Sequence, residues 1–266
     1  MTSYAEFRAI ADKGADENYL IDKYLFRRIT MVGSWLFSFT RVSPDVVTGL
    51  SLVLSIGSVW FFMQQSTGAL VVGCALIFVY HYLDHVDGEL ARYYAATRGR
   101  RAGIAGAYFD VLCHSFTVNI WLPAIAFGVY AVTDQPLVML LGILSMPVMS
   151  GFSNFVAAQL LVLQLQKDPN LLTREEGRAA VAELSGKPRQ IAAVQAGVRS
   201  RAGGVKLAKE IVSYPGMILL VVFAVLADAL TGVVWARLVL LGFLTVVHAI
   251  NGALKARRVM RIYSSI

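Results

Sequence analysis

Two stretches decide the reading. Residues 84–92 run Asp84-His85-Val86-Asp87-Gly88-Glu89-Leu90-Ala91-Arg92, and residues 106–114 run Gly106-Ala107-Tyr108-Phe109-Asp110-Val111-Leu112-Cys113-His114. Each sets ionisable groups into an apolar run, where lipid rejects them unless something compensates their charge. The runs themselves, 69–95 and 104–131, are long enough to cross a hydrocarbon core of about 30 Å, which takes about 20 apolar residues. Working outward, similar runs fall at 45–65, 136–165, 206–230 and 233–255. The expected fold is therefore all-α: a polytopic membrane protein of six transmembrane helices.

Composition agrees. Of 266 residues, 57% are apolar and 15% charged, against about 45–50% and about 25% in soluble domains. This argues against a soluble globular chain and against disorder. The net charge of +7 reads as loop charge on one side of a membrane, so no nucleic-acid partner is expected. Arg98, Arg100 and Arg101 follow the second run. Arg174, Arg178, Lys187, Arg189, Arg199, Arg201, Lys206 and Lys209 lie between or beside the fourth and fifth. Lys255, Arg257, Arg258 and Arg261 follow the sixth. The loops near 66–68, 132–135 and 231–233 hold no Lys or Arg. That alternation places both termini on the cytoplasmic side of an inner, cytoplasmic membrane. Cys74 and Cys113 sit in apolar runs and read as small buried hydrophobes.

Residues 1–19 are polar and acidic, without a secretory signal, so the first span is expected to act as the insertion signal. Residues 15–40 interleave Tyr19, Leu20, Tyr24, Leu25, Phe26, Ile29, Met31, Trp35 and Phe37 with Lys23, Arg27 and Arg28. This pattern predicts an amphipathic helix lying at the interface. Ser43-Pro44-Asp45 predicts a capped helix start. The expected organisation is an N-terminus and interfacial helix over 1–42 and a membrane domain over 43–266. That domain contains a polar cytoplasmic loop, 166–205, with a short helix near 173–184.

At 100° per residue, Asp84, Asp87, Gly88, Ala91 and Arg92 fall within an arc of about 140°. Gly106, Asp110 and His114 share a face at i, i+4, i+8. Asp84 lies about 22 Å from the outer end of its span, and Asp110 about 9 Å from the inner end of the next, at about 1.5 Å per residue. Three carboxylates and an imidazole thus reach one level in the cytoplasmic half, where they would repel and protonate if uncompensated. One or two divalent ions remove the conflict, and hard oxygen ligands favour Mg²⁺ or Mn²⁺ over zinc. A two-metal centre clamps phosphate oxygens during in-line displacement. Gly88 and Gly106 permit close approach of a ligand, and Arg92 suits a phosphate.

At these residues the sequence resembles the CDP-alcohol phosphatidyltransferases, whose signature is D-x2-D-G-x2-A-R, a spacer, then G-x3-D-x3-D. The six-span layout, the interfacial helix and the turn at Asp45–Thr48 are similar too. The resemblance implies two divalent ions holding the pyrophosphate of a CDP-alcohol, attack by an acceptor hydroxyl on the β-phosphorus, and departure of CMP. Carried over by position, Asp84, Asp87 and Asp110 are metal ligands. Gly88, Ala91 and Arg92 line the nucleotide pocket, with Gly106 on the next span and Asp45 and Thr48 near the nucleotide. Homodimers are usual in the family. Two departures stand out. His114 replaces the last Asp, as metal ligand, general base or both. The spacer from Arg92 to Gly106 is long, 13 residues, with a basic segment at 97–103.

Other signals read as structural. His81-x3-His85 has metal-ligand spacing, but four histidines are too few for di-iron boxes, and His85 is expected to be structural or to support the ligands behind it. His248 and Asn251 either line the cavity or bond a neighbouring helix. Asp228 is expected to face water. Lys206, Lys209, Glu210 and Tyr214, with Arg199 and Arg201, either bind a phosphorylated acceptor or are ordinary loop charges. Tyr80, Tyr82, Tyr93, Tyr94 and Trp121 read as interface or core residues. The favoured function is metal-dependent transfer of a phosphoalcohol, with CDP-diacylglycerol as the donor and a hydroxyl acceptor, in phospholipid synthesis. The alternatives are a soluble CDP-alcohol donor with a lipid acceptor, an inactive nucleotide or lipid binder, and a cation transporter.

Overall fold

The computed structural model describes residues 2–12, 22–40, 42–99, 104–146, 170 and 214–264, and within its helices some side chains, Asp110 among them, lie outside the description. Every element among these residues is helical. In chain order they are α1 (Tyr4–Ala11), a π-helical turn (Asp22–Phe26), α2 (Arg27–Ser38), α3 (Pro44–Met63), α4 (Thr67–Arg98), α5 (Ile104–Thr133), α6 (Pro136–Leu144), α7 (Tyr214–Thr231) and α8 (Trp235–Ser264).

Among the described residues, α3, α4, Leu112–Thr133 of α5 and Trp235–Leu254 of α8 are long and apolar enough to cross a membrane, and Pro215–Thr231 is apolar but shorter. The expected fourth span, 136–165, enters the description only as α6. The expected fifth, 206–230, enters it only from residue 214, and the polar loop 166–205 lies outside it except for Asn170. At about 1.5 Å per residue, α4 is ~48 Å long, well beyond a hydrocarbon core of about 30 Å. Its polar second half follows from that excess. Gly99, in the left-handed region at φ 61°, ends it.

The predicted start of α3 is present: Ser43 Oγ accepts the Val46 N–H at 3.3 Å and Pro44 fills the first turn. α3 then packs along α4 and α5. The buried Trp121 of α5 donates its indole N–H to Ser55 Oγ of α3 at 2.9 Å, and the buried ring of Tyr80 meets Trp121 edge-on at 5.3 Å.

The N-terminus departs from the expected polar lead-in. Ser3 and Glu6 form a capping box, with Ser3 N–H to Glu6 Oε2 at 2.8 Å and Glu6 N–H to Ser3 Oγ at 3.3 Å. α1 then buries Phe7 and Ala11, and Phe7 lies 4.8 Å from Tyr93 of α4. Trp35 of α2 donates to the Thr2 carbonyl at 3.1 Å. The spacing S-x-x-E was readable in the sequence; the apolar partners on α4 were not.

α2 is inside-out. Its buried side carries Arg27, Thr30, Met31, Ser34 and Ser38, while Ile29, Val32 and Leu36 are exposed. A soluble helix does the reverse.

The chain separates into two compact units, Met1–Ile143 with Gly204–Gly242, and Leu144–Gly203 with Phe243–Ile266. In the first, Asp228 is buried, contrary to the expectation that it faces water. Its Oδ1 accepts Ala236 N–H at 2.8 Å, and its Oδ2 accepts Arg237 N–H at 3.0 Å and Arg237 Nε–H at 2.8 Å. The first N–H groups of α8 have no partner within the helix, and Asp228 supplies one while pairing Arg237. In the second unit, His248 Nδ1 lies 2.6 Å from the Ser145 carbonyl, the helix-bonding role of the two weighed for it.

Candidate active site

α4 organises the site because residues three and four apart share a face, and its two polar faces meet different neighbours. On the first face lie Asp84 and Asp87. Asp84 Oδ1 is 2.7 Å from His114 Nε2 of α5. His114 is about one-third exposed and Asp84 mostly buried. A carboxylate at that distance holds a proton on Nε2, so the neutral ring turns its Nδ1 lone pair toward the Tyr80 hydroxyl, 3.3 Å away. Tyr80 Oη also lies 3.4 Å from Thr117 Oγ1. Asp87 is buried and accepts the Thr48 hydroxyl from the second turn of α3 at 2.5 Å. Asp45 is exposed in the first turn of α3.

Thr48 and Asp87 thus meet, and so do Asp84 and His114. Asp110 and Gly106 lie on α5, with Asp110 one turn before His114; both side-chain positions fall outside the described residues. A Cβ on Gly88 would meet only Arg92 Nη1, at 3.4 Å, so the protein itself does not demand glycine there. Ala91 follows on the same stripe, half-buried. Arg92 Nε–H donates to the Ala11 carbonyl at the end of α1, at 2.7 Å. The residue expected to bind phosphate is therefore also anchored to the N-terminal helix.

The donor set fits a hard divalent cation: carboxylates on successive turns of one helix face an imidazole and the backbone position of a third carboxylate on the next. Without such a cation, the Asp84–His114 pair resembles the orienting half of a general-base dyad.

The second face of α4 carries His81, His85 and Glu89. His81 Nε2 and His85 Nε2 lie 3.3 and 3.2 Å from Asp22 Oδ1 in the π-helical turn. Burial alone would raise the Asp22 carboxyl, but the hydrogen bonds from His81 and His85 outweigh it and hold it well below the usual carboxylate range. Glu89 is buried and accepts from Thr30 at 3.1 Å and Ser34 at 2.6 Å, the polar inner side of α2. α2 can come this close because Gly33 leaves room for Tyr82; a Cβ there would lie 1.5 Å from the Tyr82 hydroxyl oxygen. Arg27, also buried, pairs with Asp12 at 2.6 Å.

Sequence reasoning passed over Asp22 and Glu89 and placed Tyr80 in the core without its link to His114. For Glu89 a signal existed: it extends the His81–His85 stripe by one turn, and Thr30 and Ser34 repeat at helical spacing on the facing segment. Asp22 lies 59 residues before His81, and no local pattern joins them.

The family model described as CDP-alcohol phosphatidyltransferase matches residues 41–165, which include both motif stretches. Among solved structures, the chain is similar to Mycobacterium tuberculosis phosphatidylinositol phosphate synthase (PgsA1) with CDP-DAG bound. The TM-score is 0.56 at 18% identity, covering 87% of this chain and 94% of that one. At that identity the likeness speaks for the fold. No curated protein sequence matches the chain. Residues 41–165 thus match the CDP-alcohol phosphatidyltransferase family, a family of transferases, and the chain shares the helical fold of the similar structure and carries helices apolar enough to cross a membrane.

Proposed function

We propose that the protein transfers a phosphatidyl group from CDP-diacylglycerol to a hydroxyl acceptor and releases CMP, in phospholipid synthesis. The observation that carries this reading is the meeting of Asp84 with His114 and of Asp87 with Thr48 inside the matched residues. The donor is favoured because the similar solved structure is described with CDP-DAG bound. A polyol phosphate heads the list of acceptors, because that protein is a phosphatidylinositol phosphate synthase.

Asp84, Asp87 and Asp110 would hold Mg²⁺ or Mn²⁺, which supplies charge neutralisation for the pyrophosphate when bound. His114 has one lone pair to give, either to the ion as a further ligand or to the acceptor proton as base; the geometry at Asp84 favours the base. His114 takes the acceptor proton at Nδ1 while Asp84 holds Nε2–H. The acceptor oxygen forms a bond to the β-phosphorus, and the bond from that phosphorus to the CMP oxygen breaks. Thr48 keeps Asp87 oriented. Arg92 binds donor phosphate, with Gly88, Ala91 and Gly106 giving the nucleotide room and Asp45 at the rim. Six spans, cytoplasmic termini, an α2 resting its exposed apolar side on lipid, a cytoplasmic-face site and a homodimer complete the proposal.

The test is CMP release by detergent-purified protein given CDP-diacylglycerol, Mg²⁺ or Mn²⁺ and a panel of polyol phosphates, serine and sugars. Metal-dependent release with one acceptor, absent in Asp110→Asn, is the expected result. Release that is unchanged in Asp110→Asn would sink the mechanism. Failure with every acceptor, but turnover with a soluble CDP-alcohol and a lipid acceptor, would reverse the assignment of donor and acceptor.

A further inference from the structure

The second face of α4 carries a constellation that phosphotransfer does not use. Asp22 opens the π-helical turn, and His81 and His85 sit one turn apart on α4, so their rings project on the same side. Asp22 Oδ1 and one nitrogen from each imidazole lie within 4.8 Å of one another. Both Nε2 atoms converge on that single oxygen, at 3.3 and 3.2 Å. Charge-assisted N–H···O⁻ bonds settle at about 2.7–2.9 Å, so these are long for hydrogen bonds. The same separations also match the edge of a tetrahedron, about 3.3–3.4 Å for nitrogen and oxygen atoms about 2.0–2.1 Å from zinc, so a shared ion could replace the shared protons.

The surroundings suit a fixed site. Asp22 and His81 are buried, and His85 is only 14% exposed. Phe26, itself buried, meets His81 edge-on at 4.4 Å and stacks on His85 at 6.0 Å, so one ring holds both imidazoles. The donors are two nitrogens and one oxygen. Imidazole suits first-row transition ions, whereas the carboxylates of the first face suit Mg²⁺ or Mn²⁺.

We propose that Asp22, His81 and His85 form a separate metal site that takes one first-row divalent transition ion, Zn²⁺ by its donor set, and fastens the N-terminal segment to α4. His85 directly follows Asp84, so an ion here fixes the rotation of the turn that presents the first catalytic carboxylate. The inference stands independently of the phosphotransfer reading.

The test uses the full chain in detergent, stripped with EDTA and titrated with Co²⁺, whose ligand-field bands report nitrogen ligation, and then with Zn²⁺. One equivalent of Co²⁺ should bind with intense visible bands, be displaced by one equivalent of Zn²⁺ and resist excess Mg²⁺. Asp22→Asn, His81→Gln and His85→Gln should each weaken Zn²⁺ binding by about 100-fold or more, since losing even an outer partner of a ligand costs up to about that much. The double variant Asp84→Asn/Asp87→Asn should keep the bands. A wild-type protein without such bands, or bands lost with Asp84 and Asp87 but not with the histidines, overturns the proposal. Should the glutamine variants fail to fold, X-ray absorption of the Zn²⁺-loaded wild type decides: two imidazoles in the shell support the site, and an oxygen-only shell overturns it.

Discussion

The two polar faces of α4 are built from similar residues and serve opposite ends. The face toward α3 and α5 gathers like charge: Asp84 and Asp87 stand one turn apart, and α5 places Asp110 one turn before His114. The face toward the N-terminal helices matches each acidic group with donors. Asp22 has two imidazoles, and Glu89 has two hydroxyls. Carboxylates crowded on one face repel one another and cost stability, which suits a binding role; acids set singly among donors hold the fold. The arrangement also implies an order of work: the N-terminal helices set α4, and α4 sets the proposed ligands.

The sharpest way to break the comparison is to neutralise one acid on each face. Asp84→Asn should lower CMP release by about 100-fold or more, since on the proposed mechanism it removes a metal ligand and the group that orients the His114 base. Its thermal midpoint in metal-free detergent should hold or rise, because repulsion is relieved. Glu89→Leu should do the reverse. It strands the Thr30 and Ser34 hydroxyls among buried groups, at about 1–3 kcal/mol. The folded fraction should keep its turnover, and Glu89→Gln should recover most of the stability. Parallel calorimetry and turnover of the three variants would show it. If Asp84→Asn destabilises as much as Glu89→Leu, the two faces are not different in kind.

Arg92 tests the seam between the faces, since its Nε bonds the end of α1 while its Nη1 lies beside Gly88. Arg92→Lys keeps the charge but cannot do both, because a lysine head is a single point. The expected result is a donor KM raised about tenfold, equivalent to about 1.4 kcal/mol, with a small loss of thermal stability. A KM that is unchanged while stability falls would assign Arg92 wholly to the second face.

The same contrast explains what the sequence made legible. The carboxylate face announces itself because its chemistry needs particular acids at helical spacing within 31 residues, 84 to 114. The α3 start was readable because Ser43 and Pro44 act locally. The matched face depends on partners 55 to 63 residues away, such as Ser34 for Glu89 and Asp22 for His85, so it is written in tertiary contact. Asp228 was misread for the same reason: near an expected span end an acid looks solvated, until Arg237 and the start of α8 fold back onto it. The sequence pattern of α2 suggested basic residues turned toward headgroups, but Arg27 is buried against Asp12, and Thr30 and Ser34 against Glu89, partners that only tertiary contact brings to it.

The smallest effect sharpens the picture of His114. Tyr80 touches the ring from the side opposite Asp84, and its hydroxyl is a positioning contact. Tyr80→Phe keeps the aromatic packing on Trp121, 5.3 Å away, and removes only that contact. A neutral hydrogen bond contributes about 1 kcal/mol, so kcat should fall about fivefold with donor KM unchanged. Tyr80→Leu also removes the buried ring and should cost about 3 kcal/mol of stability besides. A Tyr80→Phe protein with wild-type kcat would mean that Asp84 alone orients the base. A fall as large as that of Asp84→Asn would mean that the tyrosine hydroxyl itself carries the proton, and the base would have to be reassigned from His114 to the Tyr80–His114 pair.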